Sequence, residues 1–203
     1  MQTDAVLLED VGEIGDTTYV ALRKFLLYGT KAKMENCAES WGLLLVSGPK
    51  ASTVLKAAFG TDVDDLKPVN FISAPIGGQT ALVIRTQETG ECDYEILIPA
   101  DGLVAAWEQL MEAGVPHAIK PIGSQAREAL RMEAGLPKAG PDLNEEIVPP
   151  EANLEEKAFS MTKGCYPGQE FVARMDTYGS VRRHLDGLVV KGYAVPPKGA
   201  KLL

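Results

Sequence analysis

Histidine and cysteine are scarce in this sequence. His117 and His184 are its two imidazoles, and Cys37, Cys92 and Cys165 its three thiols. No Cys-x-x-Cys pair occurs and the histidines show no ligand spacing, so a zinc or iron–sulfur centre built by this chain alone is not expected. An odd number of widely spaced cysteines is no disulfide framework, which points to a reducing compartment, read here as the cytoplasm. Basic runs are missing as well. Lys and Arg number 20 against 28 Asp and Glu, a net charge of −8. Direct nucleic-acid binding, which needs clustered cations, is therefore not expected. No apolar run approaches the ~20 residues that cross a bilayer, and the polar opening residues do not form a signal peptide, so no membrane partner is expected.

What is present suffices for a folded core: 203 residues with 45% hydrophobic content can bury one sizeable core or two small ones. Asp4–Leu8 reads as a short strand. A helix follows from Asp16 or Thr17 through Tyr28, stopped by Gly29. Lys31–Ala38 and Gly42–Ser47 read as strands, and Ala51–Phe59 as a helix closed by Gly60. Strands near Val69–Ser73, Thr80–Thr86 and Tyr94–Ile98 concentrate β-branched and apolar residues. Asp101 is placed to cap a helix through Ala113 whose buried face carries Leu103, Ala106, Trp107, Leu110 and Met111. A further helix is expected over Ser124–Ala134, with Ser124 as N-cap and Ala126, Ala129, Leu130 and Ala134 inward. Strands and helices mix without strict alternation, which predicts an α+β fold. Residues 135–156 shift to Pro, Gly, Asn and Glu, a connector long enough to be either functional or disordered. Val181–Val190 and Val195 read as a fresh strand set, the start of a C-terminal β-barrel. The expected division is a mixed sheet-and-helix core over 1–178 and an incomplete barrel over 179–203.

The stretch Lys163-Gly164-Cys165-Tyr166-Pro167-Gly168-Gln169-Glu170 carries the strongest chemical signal. Proline presets φ at the second position of a type II turn, and glycine takes positive φ at the third. Such a turn folds Cys165 and Tyr166 back toward Gln169 and Glu170, gathering thiol, phenol, amide and carboxylate. Lys163, Arg174, Arg182 and Arg183 are near enough in sequence to favour a thiolate. An ordinary tight turn with a filler cysteine is the competing reading. Elsewhere, Arg131 has Glu128 three residues before it as a local partner, whereas Arg127 has no acidic residue three or four positions away on its helix. A guanidinium in that position can grip a carboxylate elsewhere, or remain solvated. Glu91 follows Thr89-Gly90 between two expected strands, with Tyr94 and Glu95 beyond it by strand alternation.

These segments resemble a known family. Asn153-Leu154, the run Phe159–Glu170 and Val172-Ala173-Arg174 are similar to the YgfZ-type folate-binding proteins, relatives of the glycine-cleavage T-protein, the aminomethyltransferase. Thr89-Gly90-Glu91 with Tyr94-Glu95-Ile96, and Ala126–Gly135, resemble two segments that both branches share. The likeness runs from about Ala5 to the end, with the relatives longer on both sides. It implies a tetrahydrofolate (or one-carbon derivative) site in which Glu91 and Arg127 hold the folate, flanked by Tyr94 and Glu95. A carboxylate accepting two N–H groups of the pterin edge is the fitting partner there. The resemblance also implies an activity-linked thiol at Cys165, support of iron–sulfur enzymes and thereby of tRNA modification, and an iron–sulfur client or assembly protein as partner. The alternatives are a true aminomethyltransferase and a non-catalytic interaction module. The transferase needs an aspartate in an N-terminal segment; Asp4, Asp10 and Asp16 do not lie in its context.

Overall fold

The computed structural model describes residues 6–10, 15–155, 158–160, 162–166, 168–178, 181, 183–192, 194–197 and 199–201. They cluster into two compact units, one of residues 1–87 with 91–120, the other of 88–90 with 121–203. The first unit holds a four-stranded antiparallel sheet in the order β1-β4-β3-β2: β1 (Trp41–Ser47), β2 (Phe71–Ile76), β3 (Gln79–Thr86) and β4 (Asp93–Pro99). Two helices, here numbered after a first helix α1 (Gly15–Arg23), pack on one face of it: α2 (Ala51–Phe59) and α3 (Leu103–Gly114). The expected α+β class is observed.

Strand alternation decides what each face carries. In β4, Tyr94, Ile96 and Ile98 are fully buried and share a cluster with Val54 and Leu55 of α2, Ala106 and Leu110 of α3, and Ala81 and Val83 of β3. Asp93, Glu95 and Leu97 project from the opposite face and are buried too. A central strand buried on both sides normally carries apolar residues throughout. Two carboxylates in that place break the local rule, which is where functional residues are to be sought. Asp93 accepts a hydrogen bond from the Ser47 hydroxyl of the neighbouring strand, its cross-strand partner.

Several expectations need correction. Residues 31–37 form no strand: Lys31, Lys33, Glu35 and Asn36 leave no continuous apolar row to bury. Val6–Leu8 are irregular and exposed, and Asp4 and Ala5 lie outside the described residues. The first helix ends at Arg23 and continues to Leu26 only as i→i−3 turns. β2 begins at Phe71 rather than Val69, because Val69 adopts φ 63° and its N–H, with that of Arg85, closes a bulged pair of bonds instead of a ladder. Asp101 caps nothing; it lies in a short 3-10 turn, Ala100–Gly102, that precedes α3. On α3 the buried face holds Ala106 and Leu110, while Trp107 is exposed.

The second unit contains α4 (Ser124–Glu133), a 3-10 turn over Pro149–Ala152, and α5 (Gln169–Tyr178). Ser124 is the first residue of α4, not its cap, and none of the helix is buried: Ala126, Ala129 and Ala134 are exposed and Leu130 half-buried. Polar ties hold it instead. Arg131 donates to Glu128 at 2.7 Å, to Asp142 at 2.9 Å and to the Leu136 carbonyl, and Asp142 also accepts from the Lys138 N–H. The connector after Gly135 is thereby ordered through Leu143, where it forms an isolated bridge with Ala139. None of the described helices is long and apolar enough to cross a membrane.

A second tie was invisible to local reading. Arg183 donates in fork geometry to both oxygens of buried Glu151, at 2.9 and 3.0 Å, and to the Glu146 carbonyl. Leu185 N–H donates to the Glu151 carbonyl, and Asn153 returns its amide to Leu185. Among the described residues after 180 no strand forms, and Leu188, Val189 and Val195 are exposed. A strand needs a paired neighbour, and the backbone N–H bonds this segment makes among the described residues are Leu185 to Glu151 and the local turn Ala200 to Pro197.

The Arg183 guanidinium holds the Glu151 carboxyl below its usual value of 4.5, as Arg131 does for Glu128. A carboxylate whose folded value is depressed contributes stability above the ordinary value and loses it as pH falls through the depressed one. Stability is therefore expected to decline as pH drops below about 4.5. Glu151→Gln should be less stable at neutral pH and show a flatter decline in urea unfolding; an unchanged slope would contradict the assignment.

Candidate functional site

The connection Gln87–Cys92 between β3 and β4 bears Thr89, Gly90 and Glu91, three of the residues singled out in the sequence. Thr89 is buried and Gly90 adopts φ 80°. A Cβ at Gly90 would stand 2.9 Å from the Ala134 methyl, at the end of α4. Glycine is thus required twice over, for its backbone angle and for close approach. On the same side, Arg127 of α4 donates to the Glu88 carboxylate at 3.1 Å, a pair about half exposed. The arginine without a helical partner has found one across 39 residues of sequence. The two segments singled out by resemblance, Thr89–Glu91 with its flank and Ala126–Gly135, therefore touch through Glu88–Arg127 and Gly90–Ala134.

Arg127 uses one nitrogen on Glu88, so its fork retains donors for a second anion. Glu91 is exposed, and its carboxylate has no side-chain hydrogen bond among the described residues. β4 starts at Asp93, so the strand does not run through Glu91 and alternation does not align it with Glu95. Glu95 is buried on the sheet face away from α2 and α3, between Leu45 of β1 and Ile84 of β3.

Tyr94 points the other way. Its hydroxyl accepts from Arg85 at 2.6 Å and donates to the Val63 carbonyl at 3.3 Å, and the guanidinium lies 4.8 Å from its ring centre. Burial pushes the phenol above its ordinary value, against the pull of Arg85. Tyr94 is a member of the helix-side core.

The loop before α5 keeps its expected turn. Gly168 has φ 87° and Gln169 N–H donates to the Tyr166 carbonyl, the i→i+3 bond of a type II turn; Pro167 itself lies outside the described residues. The Gln169 side chain accepts from the Tyr166 N–H. Ser160, Lys163, Tyr166, Gln169, Glu170, Val172 and Ala173 line an open cleft of about 210 Å³, with the Lys163 ammonium 4.5 Å from the centre of the Tyr166 ring. Phenol, amide and carboxylate are gathered as expected. The thiol is not: Cys165, like Gly164, is exposed and does not line the cleft. Of the cations expected near it, Lys163 covers Tyr166, Arg183 is committed to Glu151, and Arg182 lies outside the described residues.

Comparison with known proteins shows what the chain is similar to. The chain matches the GCVT N-terminal domain family over residues 12–162. It is 34% identical over 168 residues to an aminomethyltransferase of Prosthecochloris aestuarii, covering 82% of this chain and 46% of that protein. An aminomethyltransferase of Caldanaerobacter subterraneus is 35% identical over 170 residues, covering 83% of this chain and 45% of its own length. The Bacillus subtilis aminomethyltransferase is 34% identical over 168 residues, with 82% and 46% covered. The chain spans about half the length of the curated relatives it matches. With most of the sequence aligned to that domain, the chain belongs to the GCVT N-terminal domain family of the glycine-cleavage T-protein superfamily.

Proposed function

We propose that this chain is a tetrahydrofolate-binding domain of T-protein type and that it serves transfer of an aminomethyl carbon. The observation that carries the reading is the contact between the two superfamily segments, Glu88–Arg127 and Gly90–Ala134, in a chain whose relatives are aminomethyltransferases. The residues suit such a ligand. Glu95 supplies a buried carboxylate for the donor-rich pterin edge, where a charge-assisted bond is least weakened by water. Arg127 supplies spare guanidinium donors for the carboxylates of the folate tail. Glu91, exposed beside Gly90, has the weaker claim of the two acidic residues, and Tyr94 acts through the strand it anchors. Tetrahydrofolate would supply the nitrogens that accept the one-carbon unit; the chain binds and orients it. Formation of methylenetetrahydrofolate from an aminomethylated carrier protein, above a blank without the protein, tests the transfer reading, and no product would count against it.

A second reading keeps the folate and changes the task. The Lys163–Glu170 motif resembles the YgfZ branch, and the exposed Cys165 at its bend favours a thiol with work outside the fold, such as support of iron–sulfur enzymes and tRNA modification in the cytoplasm, through an iron–sulfur client or assembly protein. The C-terminal barrel over 179–203 belongs to the same reading; the exposed Leu188, Val189 and Val195 suit strands that gain partners. Cys165 should react with iodoacetamide faster than the half-buried Cys37 and Cys92. Cys165→Ala should leave fold and folate affinity unchanged but abolish support of iron–sulfur enzymes in cells. A fully active alanine variant would remove this reading and leave the first.

A further inference from the structure

A thiol outside that motif sits in an environment with chemical consequences. The Cys92 sulfur accepts from a guanidinium nitrogen of Arg85 at 3.4 Å, at the point where the β3–β4 connection meets the strand. Arg85 is half-buried: its second terminal nitrogen is on the Tyr94 hydroxyl, and its Nε is buried without a partner among the described residues. Among the described residues no carboxylate pairs with it. A half-buried cation with a thiol and a phenol for company, and its buried Nε–H unspent, is a charge without a counter-ion among the described residues. The group that would balance it is an anion or oxygen acceptor at the sulfur.

We propose that Cys92 is an oxidation site at which hydrogen peroxide forms a sulfenic acid, with Arg85 stabilising the charge that develops on sulfur and peroxide oxygen. In this step the sulfur attacks one peroxide oxygen, the S–O bond forms as the O–O bond breaks, and the departing hydroxide takes the thiol proton to become water. Sulfur loses two electrons and the peroxide gains them. The product oxygen is a better acceptor than the thiol sulfur for the Arg85 nitrogen that already reaches Cys92, so the oxidised form is better satisfied than the thiol. Peroxide is small enough to reach a half-buried sulfur. Alkylation by a larger reagent follows exposure instead. The two reagents therefore rank the thiols in opposite orders, with Cys165 first for iodoacetamide and Cys92 first for peroxide.

The chain is pulsed with hydrogen peroxide in the presence of dimedone, and adducts at Cys37, Cys92 and Cys165 are followed by peptide mass spectrometry. Cys37 is also half-buried and has no cation among its hydrogen-bond partners in the described residues, so it isolates the effect of Arg85. Cys92 should label about tenfold faster than Cys37, the worth of one charge-assisted hydrogen bond, and faster than Cys165. Arg85→Met should remove that advantage and leave the other two thiols unchanged. Cys92 labelling no faster than Cys37 in the unmodified chain would overturn the proposal, and this comparison decides even if Arg85→Met does not fold. An unaltered Cys92 rate in a folded Arg85→Met protein would overturn it equally.

Discussion

Arg127→Ala and Glu95→Gln are each expected to weaken tetrahydrofolate binding by about one to two decades, the loss that follows removal of a charged hydrogen-bond partner worth about 1.5–3 kcal/mol. The two variants act for different reasons. Arg127 is on the surface of α4 and shares its guanidinium with Glu88, so its removal takes away donors and leaves the fold intact. Glu95 is enclosed between Leu45 and Ile84, and glutamine keeps its shape while removing the charge that a pterin edge would meet. Glu91→Ala should cost less, because an exposed carboxylate exchanges ligand for water at little net gain. Calorimetry on the three variants orders them. A larger loss at Glu91 than at Glu95 would move the pterin edge to the connecting loop, and no loss at Arg127 would remove it from the site.

Gly77→Ala should be the most damaging small substitution in the first unit. Ile76 and Gln79 are cross-strand partners, so β2 and β3 are joined by Gly77 and Gly78 alone, with φ 58° and 75°. Positive φ at both central residues is the type I′ turn that suits the twist of paired strands. A Cβ at Gly77 would collide with the carbonyl oxygen of Gly102, which is backbone and has no rotamer with which to yield, whereas one at Gly78 would meet open space. Gly77→Ala thus combines left-handed strain with overpacking, about 2–4 kcal/mol in total, or roughly 5–15 °C in Tm. Gly78→Ala incurs the strain alone, about 1–2 kcal/mol. Equal melting points for the two variants would show that the Gly102 contact relaxes without cost.

The sheet was legible because its information is local. β3, β4 and α2 were placed within a residue at either end, since alternation, a buried apolar run and a glycine stop are written within a few positions of one another. The misreadings share a different origin. Lys31–Ala38 has the alternation of a strand without an apolar face. α4 has helical spacing of small apolar residues, but they stay exposed, because the helix is fixed by Arg131 to Asp142 and by Glu128 to Lys138 in the following loop. The Glu151–Arg183 fork spans 32 residues and no periodicity announces it.

At the candidate site, the structure brings together segments that the sequence singles out, and it sets some of their side chains on faces that local reading does not give. Arg127 stood out for lacking a helical partner, and its contact with Glu88 is the outcome that logic allows. Tyr94 and Glu95 could be assigned to opposite faces by alternation, but which face would be packed by helices depends on how distant elements fold onto the strand. Cys165 drew attention through its turn, whereas Cys92 gave no local sign, because its cationic neighbour Arg85 belongs to the preceding strand.

Tetrahydrofolate binding is the claim on which the functional account rests, and an anaerobic calorimetric titration of the unmodified chain tests it most directly. The account predicts saturable heat at a single site and a thermal midpoint that rises with ligand concentration, since a ligand that binds the folded state stabilises it by mass action. A titration without saturable heat, together with a midpoint that stays fixed at every ligand concentration, would contradict it.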